Sequence, residues 1–174
     1  VFGKLLNCGQ TCVAPDYLLV DRRVKDRFLA HVRKWVSIQY GTDALDNQGY
    51  VRIINRKHFD RVMGLIQPDK VVFGGKGDPA TLKIQPTVLD HVSPDAPAMQ
   101  EEIFGPVLPV LTFDQVEEAL NFVNARPHPL ALYLFSQDKR VQELFLRRVS
   151  FGGGCINDTI IHLATSRMPF GGVG

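Results

Sequence analysis

Apolar and polar positions along the chain follow two periods, and each predicts a different element. Residues 22–40 place Val24, Phe28, Val32, Trp35 or Val36, and Gln39 at helical spacing, with basic residues on the opposite face and Gly41 as a natural stop. Residues 57–66 read as a second helix ended by Gln67-Pro68-Asp69. A third runs from a capping Asp114 to Asn124, with Val116, Leu120 and Val123 on one face, and a fourth covers 138–149. Short runs rich in strand formers fall between them, at 16–21, 70–75, 107–113 and 130–136. Residues 82–92 read as extended, with Pro86 predicting an edge position or a bulge, and 152–158 as the last strand. Strands alternating with amphipathic helices, several of them continuously apolar, predict an α/β fold: a mainly parallel open sheet with helices on both faces. Neither an internal repeat nor a domain linker is visible.

The 174 residues are 45% hydrophobic and 22% charged, enough apolar material for a packed core. A formal net charge of +2 gives no electrostatic case for nucleic acid or a membrane surface. No apolar run reaches the roughly 20 residues that a membrane-spanning helix requires. The chain opens on VFGKLL without an initiator Met and closes on the glycine-rich FGGVG, which predicts a piece of a longer polypeptide.

Cysteine carries the candidate chemistry. Cys8 and Cys12 stand four apart around Gly9-Gln10, and Cys155 is distant. A structural zinc site needs four ligands. Three cysteines, with His31, His58, His91, His128 and His162 forming no closely spaced pair, do not supply the pattern, so no metal is expected. A Cys8–Cys12 disulfide would close a very small loop, and an odd cysteine count favours a reducing compartment. Cys155, in a predicted core strand, reads as a buried and inert thiol, and Cys8 divides evenly between inert and functional. Cys12 follows Gly9 at the junction of an ending helix and a beginning strand. There a thiol can face a cleft and its own N–H can meet a developing oxyanion. An ordinary thiol is only about 3% ionised at neutral pH, so such a nucleophile needs activation.

These residues also carry a resemblance. Leu5-Leu6-Asn7-Cys8-Gly9-Gln10-Thr11-Cys12-Val13 resembles the active-site cysteine signature of aldehyde dehydrogenases. Met99-Gln100-Glu101-Glu102-Ile103-Phe104-Gly105-Pro106-Val107 resembles the family's Glu-x-Phe-Gly-Pro cofactor motif, and Met168-Pro169-Phe170-Gly171-Gly172-Val173-Gly174 its C-terminal motif. The three stand in the family's order and approximate spacing. NCGQTCVAPDY, HFDRVMGLI and the loop between Asn157 and Pro169 are most similar to the class 3 branch, which acts on medium-chain, fatty and aromatic aldehydes.

The resemblance implies roles. Cys12 would be the nucleophile, Glu102 would bind the nicotinamide-side ribose of NAD or NADP, Phe104 would contact the nicotinamide region, and Phe170 would line the aldehyde pocket. Residues 159–166 would shape the substrate channel, with His162 a polar surface residue. The chain as a whole would be the catalytic, thiol-bearing domain. The cofactor-binding domain, the oxyanion Asn, the general-base Glu and the C-terminal pairing segment would lie elsewhere in a longer, homodimeric, cytoplasmic protein, so the isolated domain would be inactive. Two other readings stay open: a non-catalytic homologue serving as a binding or structural module, and an acylating enzyme that passes its thioester to coenzyme A. One departure is Val51, where related sequences usually have glycine; a bend with positive φ there would disfavour valine.

Overall fold

The computed structural model describes residues 1–174, which divide into two compact units, 1–112 and 113–174.

In the first unit a single helical turn, α1 (Phe2–Leu5), leads into a loop and then β1 (Leu18–Asp21). The long helix α2 (Lys25–Tyr40) follows and ends at Gly41, whose φ of 87° only glycine adopts without strain. Next comes α3 (Arg56–Gly64), capped by the Asn55 side chain accepting from His58 N–H. Then come β2 (Val71–Phe73), β3 (Gly77–Asp78), β4 (Lys83–Ile84), β5 (Thr87–Leu89) and β6 (Val107–Phe113), whose last residue begins the second unit. The main sheet has the order β1-β6-β5-β2, and β3 and β4 form a separate antiparallel pair.

The α/β expectation holds, with a sheet more mixed than the apolar runs suggested. β5 and β6 pair in parallel, whereas β2 joins β5 antiparallel. The extended stretch at 82–92 is broken at Gln85-Pro86 into β4 and β5. Pro86 does not mark an edge, because β5 lies between β6 and β2. It precedes an irregular register, Val71 facing Leu89 but Phe73 facing Val88, which is the bulge alternative.

Helix α2 covers this sheet through its apolar stripe. Leu29 and Val32 are buried with Val20, Val88, Leu108 and Val110, and Phe28 and Val36 pack at the margin. Val36 is thus the inward residue, and Trp35 is 50% exposed. Full burial of each such side chain contributes roughly 1.5–3 kcal/mol. Lys25, at the start of the helix, pairs at 2.6 Å with Asp90, which follows β5.

The second unit holds α4 (Val116–Asn124), β7 (Ala131–Leu134), α5 (Lys139–Arg148) and β8 (Gly153–Ile156), with β7 and β8 parallel. Asp138 caps α5 by accepting from Arg140 N–H. Asp114 is not the cap of α4. That position falls to Gln115, whose side chain makes no capping bond, and Glu118 reaches back to accept from Asp114 N–H.

Candidate active site

The Cys12 loop starts from an unusual backbone. Asn7, Cys8 and Gly9 have φ of 51°, 57° and 76°, three consecutive left-handed residues that turn the chain out of α1. Left-handed backbone costs a non-glycine residue roughly 1–2 kcal/mol, so the surroundings must enforce it. Gln10 does much of this. Its Nε2 donates to Asn7 O and Arg52 O, each at 3.1 Å, and its Oε1 accepts from Ile54 N–H at 3.0 Å. Asn7 Nδ2 returns a bond to Gln10 O. The loop is thereby laced to residues 52–54, next to Val51. Val51 is exposed and its φ is not positive, so the valine is accommodated without strain.

Cys8 and Cys12 occupy opposite environments. Cys8 is buried, and its thiol donates at 3.3 Å to Tyr50 Oη, which itself donates to Ile84 O at 2.8 Å. Burial pushes the Cys8 thiol up to about 11, the state of an inert structural sulfur. Cys12 is exposed, in the turn closed by Ala14 N–H donating to Thr11 O.

The same loop meets the Glu102 segment at two points. At Gly9 a Cβ would fall 2.2 Å from Gly105 O and 3.1 Å from Lys4 O, so only glycine allows this approach. Beyond Cys12, Asp16 Oδ1 accepts from Ile103 N–H at 3.0 Å. From the other side Arg61 donates to Glu102 O at 3.2 Å, to Ile103 O at 2.6 Å and to the Glu101 carboxylate at 3.0 Å. Held in this way, Phe104 adopts a φ of 48° and remains 39% exposed, and the Glu102 side chain is exposed. Burial raises the carboxyls of both Asp16 and Glu102 above their ordinary range; the Asp16 charge adds to the effect on Glu102, while Arg61 and Lys4 oppose it.

Cys12, Glu102 and Phe104 therefore stand on loops fastened to each other within the first unit. Phe170 belongs to the second unit, 50% exposed on the segment after the turn at 161–164. Sequence reasoning missed Gln10, Asp16 and Arg61; the only available signal was that Gln10 and Asp16 sit inside NCGQTCVAPDY and Arg61 inside HFDRVMGLI, the stretches that carry the class 3 resemblance. His162 is corrected from a surface residue to a buried one. Left-handed Asn157 and Ile160 turn the chain back, and the imidazole lies over Gly153, where a Cβ would be 2.7 Å away, with Nδ1 at 3.6 Å from the Cys155 sulfur. Cys155, read as buried in the core, is half-buried. No group of side chains is arranged to hold a metal ion.

A family model described as the aldehyde dehydrogenase family matches residues 1–174. The chain belongs to the aldehyde dehydrogenase family. It is 49% identical to the 4,4'-diaponeurosporen-aldehyde dehydrogenase of Staphylococcus aureus, over 99% of this chain and 38% of that one. It is 46% identical to a bovine dimeric, NADP-preferring aldehyde dehydrogenase, over 99% of this chain and 72% of that one. Among solved structures, a substrate-bound Staphylococcus aureus AldH superposes with a TM-score of 0.96 at 47% identity, covering 98% of this chain and 38% of the other. An indole-3-acetaldehyde dehydrogenase complexed with NAD+ gives 0.79 at 31% identity, covering 90% and 34%. The chain thus spans 38% of the length of its Staphylococcus relative. Within an aldehyde dehydrogenase of that length, these residues carry the cysteine signature and the Glu-x-Phe-Gly-Pro segment on adjoining loops.

Proposed function

We propose that these 174 residues are the catalytic domain of an NAD- or NADP-dependent aldehyde dehydrogenase that oxidises medium-chain, fatty or aromatic aldehydes to carboxylic acids. One observation carries the reading: the exposed Cys12 thiol stands on a strained loop tied at Gly9 and Asp16 to the segment that presents Glu102 and Phe104.

The residues fit a nicotinamide cofactor. An exposed carboxylate beside an exposed aromatic ring offers acceptors for ribose hydroxyls and a flat surface for the nicotinamide, so Glu102 and Phe104 would hold that half. Bound NAD or NADP would supply the hydride acceptor. The chain's own part is nucleophilic: Cys12 sulfur attacks the aldehyde carbon to give a thiohemiacetal, and its backbone N–H is the donor for the oxyanion. Loss of hydride from this adduct to such an acceptor would leave the acyl group on Cys12 as a thioester, which water would release as the acid. Phe170 would give an apolar wall to the aldehyde pocket. The bovine relative is named dimeric, which supports a homodimer, and three unpaired thiols fit a reducing compartment such as the cytoplasm.

The test uses the full-length protein. Cys12→Ser should abolish both aldehyde oxidation and ester hydrolysis. Glu102→Gln should weaken cofactor binding about tenfold or more and leave ester acylation of Cys12 intact. Retained aldehyde oxidation in Cys12→Ser would refute the reading.

A further inference from the structure

Of the two residues between Gly9 and Cys12, one is fastened by its side chain and the other is not. Thr11 Oγ1 is buried without a hydrogen-bond partner. Gln10 uses both ends of its amide: Nε2 donates to Asn7 O and Arg52 O, each at 3.1 Å, and Oε1 accepts from Ile54 N–H at 3.0 Å. Two carbonyls on one side and an N–H on the other admit one orientation of the amide, because its nitrogen only donates and its oxygen only accepts. The strip that receives it is itself fixed. Ile53 is fully buried and its N–H donates to Leu82 O at 2.9 Å, and Asn55 caps α3. The bond to Asn7 O closes the left-handed turn on itself, and the bonds to Arg52 and Ile54 fasten it to that strip. On the far side of the thiol, Asp16 takes Ile103 N–H. Cys12 thus stands in a short span pinned at Gln10 and at Asp16, with its thiol exposed.

We propose that Gln10 is a positioning residue for the Cys12 nucleophile: its amide, locked between Asn7 O, Arg52 O and Ile54 N–H, sets where the sulfur and the Cys12 N–H stand relative to an incoming carbonyl. The proposal rests on the nucleophile role of Cys12 given above. Attack needs the sulfur in line with the carbonyl carbon and the N–H aimed at the oxygen that becomes negative, so both atoms must be placed together. A misplacement of about 1 Å can slow such a step roughly 100-fold. Alkylation of an exposed thiol by iodoacetamide develops no oxyanion and needs no such donor. The segment of Glu102 and Phe104 is held by Arg61 and Asp16, and Gln10 makes no bond to it. Loss of the Gln10 amide therefore separates acylation of Cys12 from both plain thiol reactivity and cofactor binding.

The test uses the full-length protein and three readings: the acylation burst with 4-nitrophenyl acetate, alkylation of Cys12 by iodoacetamide located by mass spectrometry, and NAD affinity by calorimetry. Gln10→Leu, similar in volume but without a polar atom, should slow the acylation burst about tenfold or more. Alkylation should stay within about threefold, and NAD affinity within about twofold, of the unsubstituted protein. Acylation unchanged within about twofold overturns the proposal. A parallel fall in acylation, alkylation and NAD affinity also overturns it, because that is the mark of a general structural role. A burst that survives in Cys12→Ser overturns the nucleophile role and the proposal with it. If circular dichroism shows that Gln10→Leu does not fold, Gln10→Glu decides. Its carboxylate keeps the acceptor for Ile54 N–H but faces Asn7 O and Arg52 O with no proton to give, and protonation returns one donor. Its acylation rate relative to the unsubstituted protein should therefore rise about threefold or more as pH is lowered from about 8 to about 5. A ratio that stays level over that range overturns the proposal.

Discussion

Three residues separate Cys8 from Cys12, yet the two thiols are set for different fates. The Cys8 thiol is enclosed, bonded to Tyr50 and pushed up to about 11, so at pH 8 only about one molecule in a thousand carries its thiolate. Cys12 needs no opening of the fold to meet a reagent. Iodoacetamide at pH 8 should therefore label Cys12 well before Cys8, with tandem mass spectrometry locating the adducts. The Cys8 rate should climb with pH toward about 11, where its thiolate becomes populated. Equal rates at the two positions would remove the distinction on which the nucleophile assignment rests. The same contrast explains why spacing alone misleads in this motif. A Cys-x-x-x-Cys pair suggests a shared ligand or a disulfide, but left-handed backbone at Asn7, Cys8 and Gly9 turns the first sulfur inward and leaves the second outside.

At the scale of elements, the loop after α1 and the segment before β6 meet at the close approach of Gly9 to Gly105 and at the Asp16–Ile103 hydrogen bond. Gly9→Ala tests that directly. Its new methyl would meet Gly105 O at 2.2 Å and the Gly105 carbonyl carbon at 2.6 Å, at a φ of 76° that already disfavours a side chain. Neither obstacle is a flexible side-chain end, so a cost of about 3 kcal/mol or more is expected, read as a lower denaturation midpoint together with reduced activity. Gly64→Ala, in the last turn of α3 with no atom within 4 Å of the added methyl, should be neutral or stabilising by up to about 1 kcal/mol. Helices were legible from the sequence wherever a buried stripe recurred: the α2 stripe of Phe28, Val32 and Val36 is the one that packs on the sheet. Strands were legible as runs, but the break at Gln85-Pro86 and the antiparallel β2 depend on pairing partners that no local pattern encodes. The site was legible as motifs and illegible as geometry. A lysine such as Lys4 reads as a surface charge, a histidine such as His162 as a polar loop residue, and only tertiary packing buries them.

For the molecule as a whole, the two compact units divide the proposed roles unequally. The first carries Cys12, Glu102 and Phe104, and the second carries Phe170. A chain of these residues alone supplies a thiol, a backbone N–H and the side chains proposed for the nicotinamide side, Glu102 and Phe104. By the resemblance, the remaining oxyanion donor, the base that activates water and most of the cofactor's binding surface are expected outside these residues; the chain spans 38% of the length of its Staphylococcus relative. Acylation by an activated ester needs only the nucleophile, whereas aldehyde oxidation also needs a docked hydride acceptor and a base for thioester hydrolysis. The 174-residue chain, given aldehyde and NAD or NADP, should therefore show no rise in reduced-nicotinamide absorbance, while the full-length protein under the same conditions should. With 4-nitrophenyl acetate the short chain should show at most one slow acylation per thiol, lost in Cys12→Ser. Steady NAD(P)H production by the 174 residues alone would mean that the base and the cofactor cradle both lie within them, and the division of labour argued from Cys12, Glu102 and Phe104 would have to be redrawn.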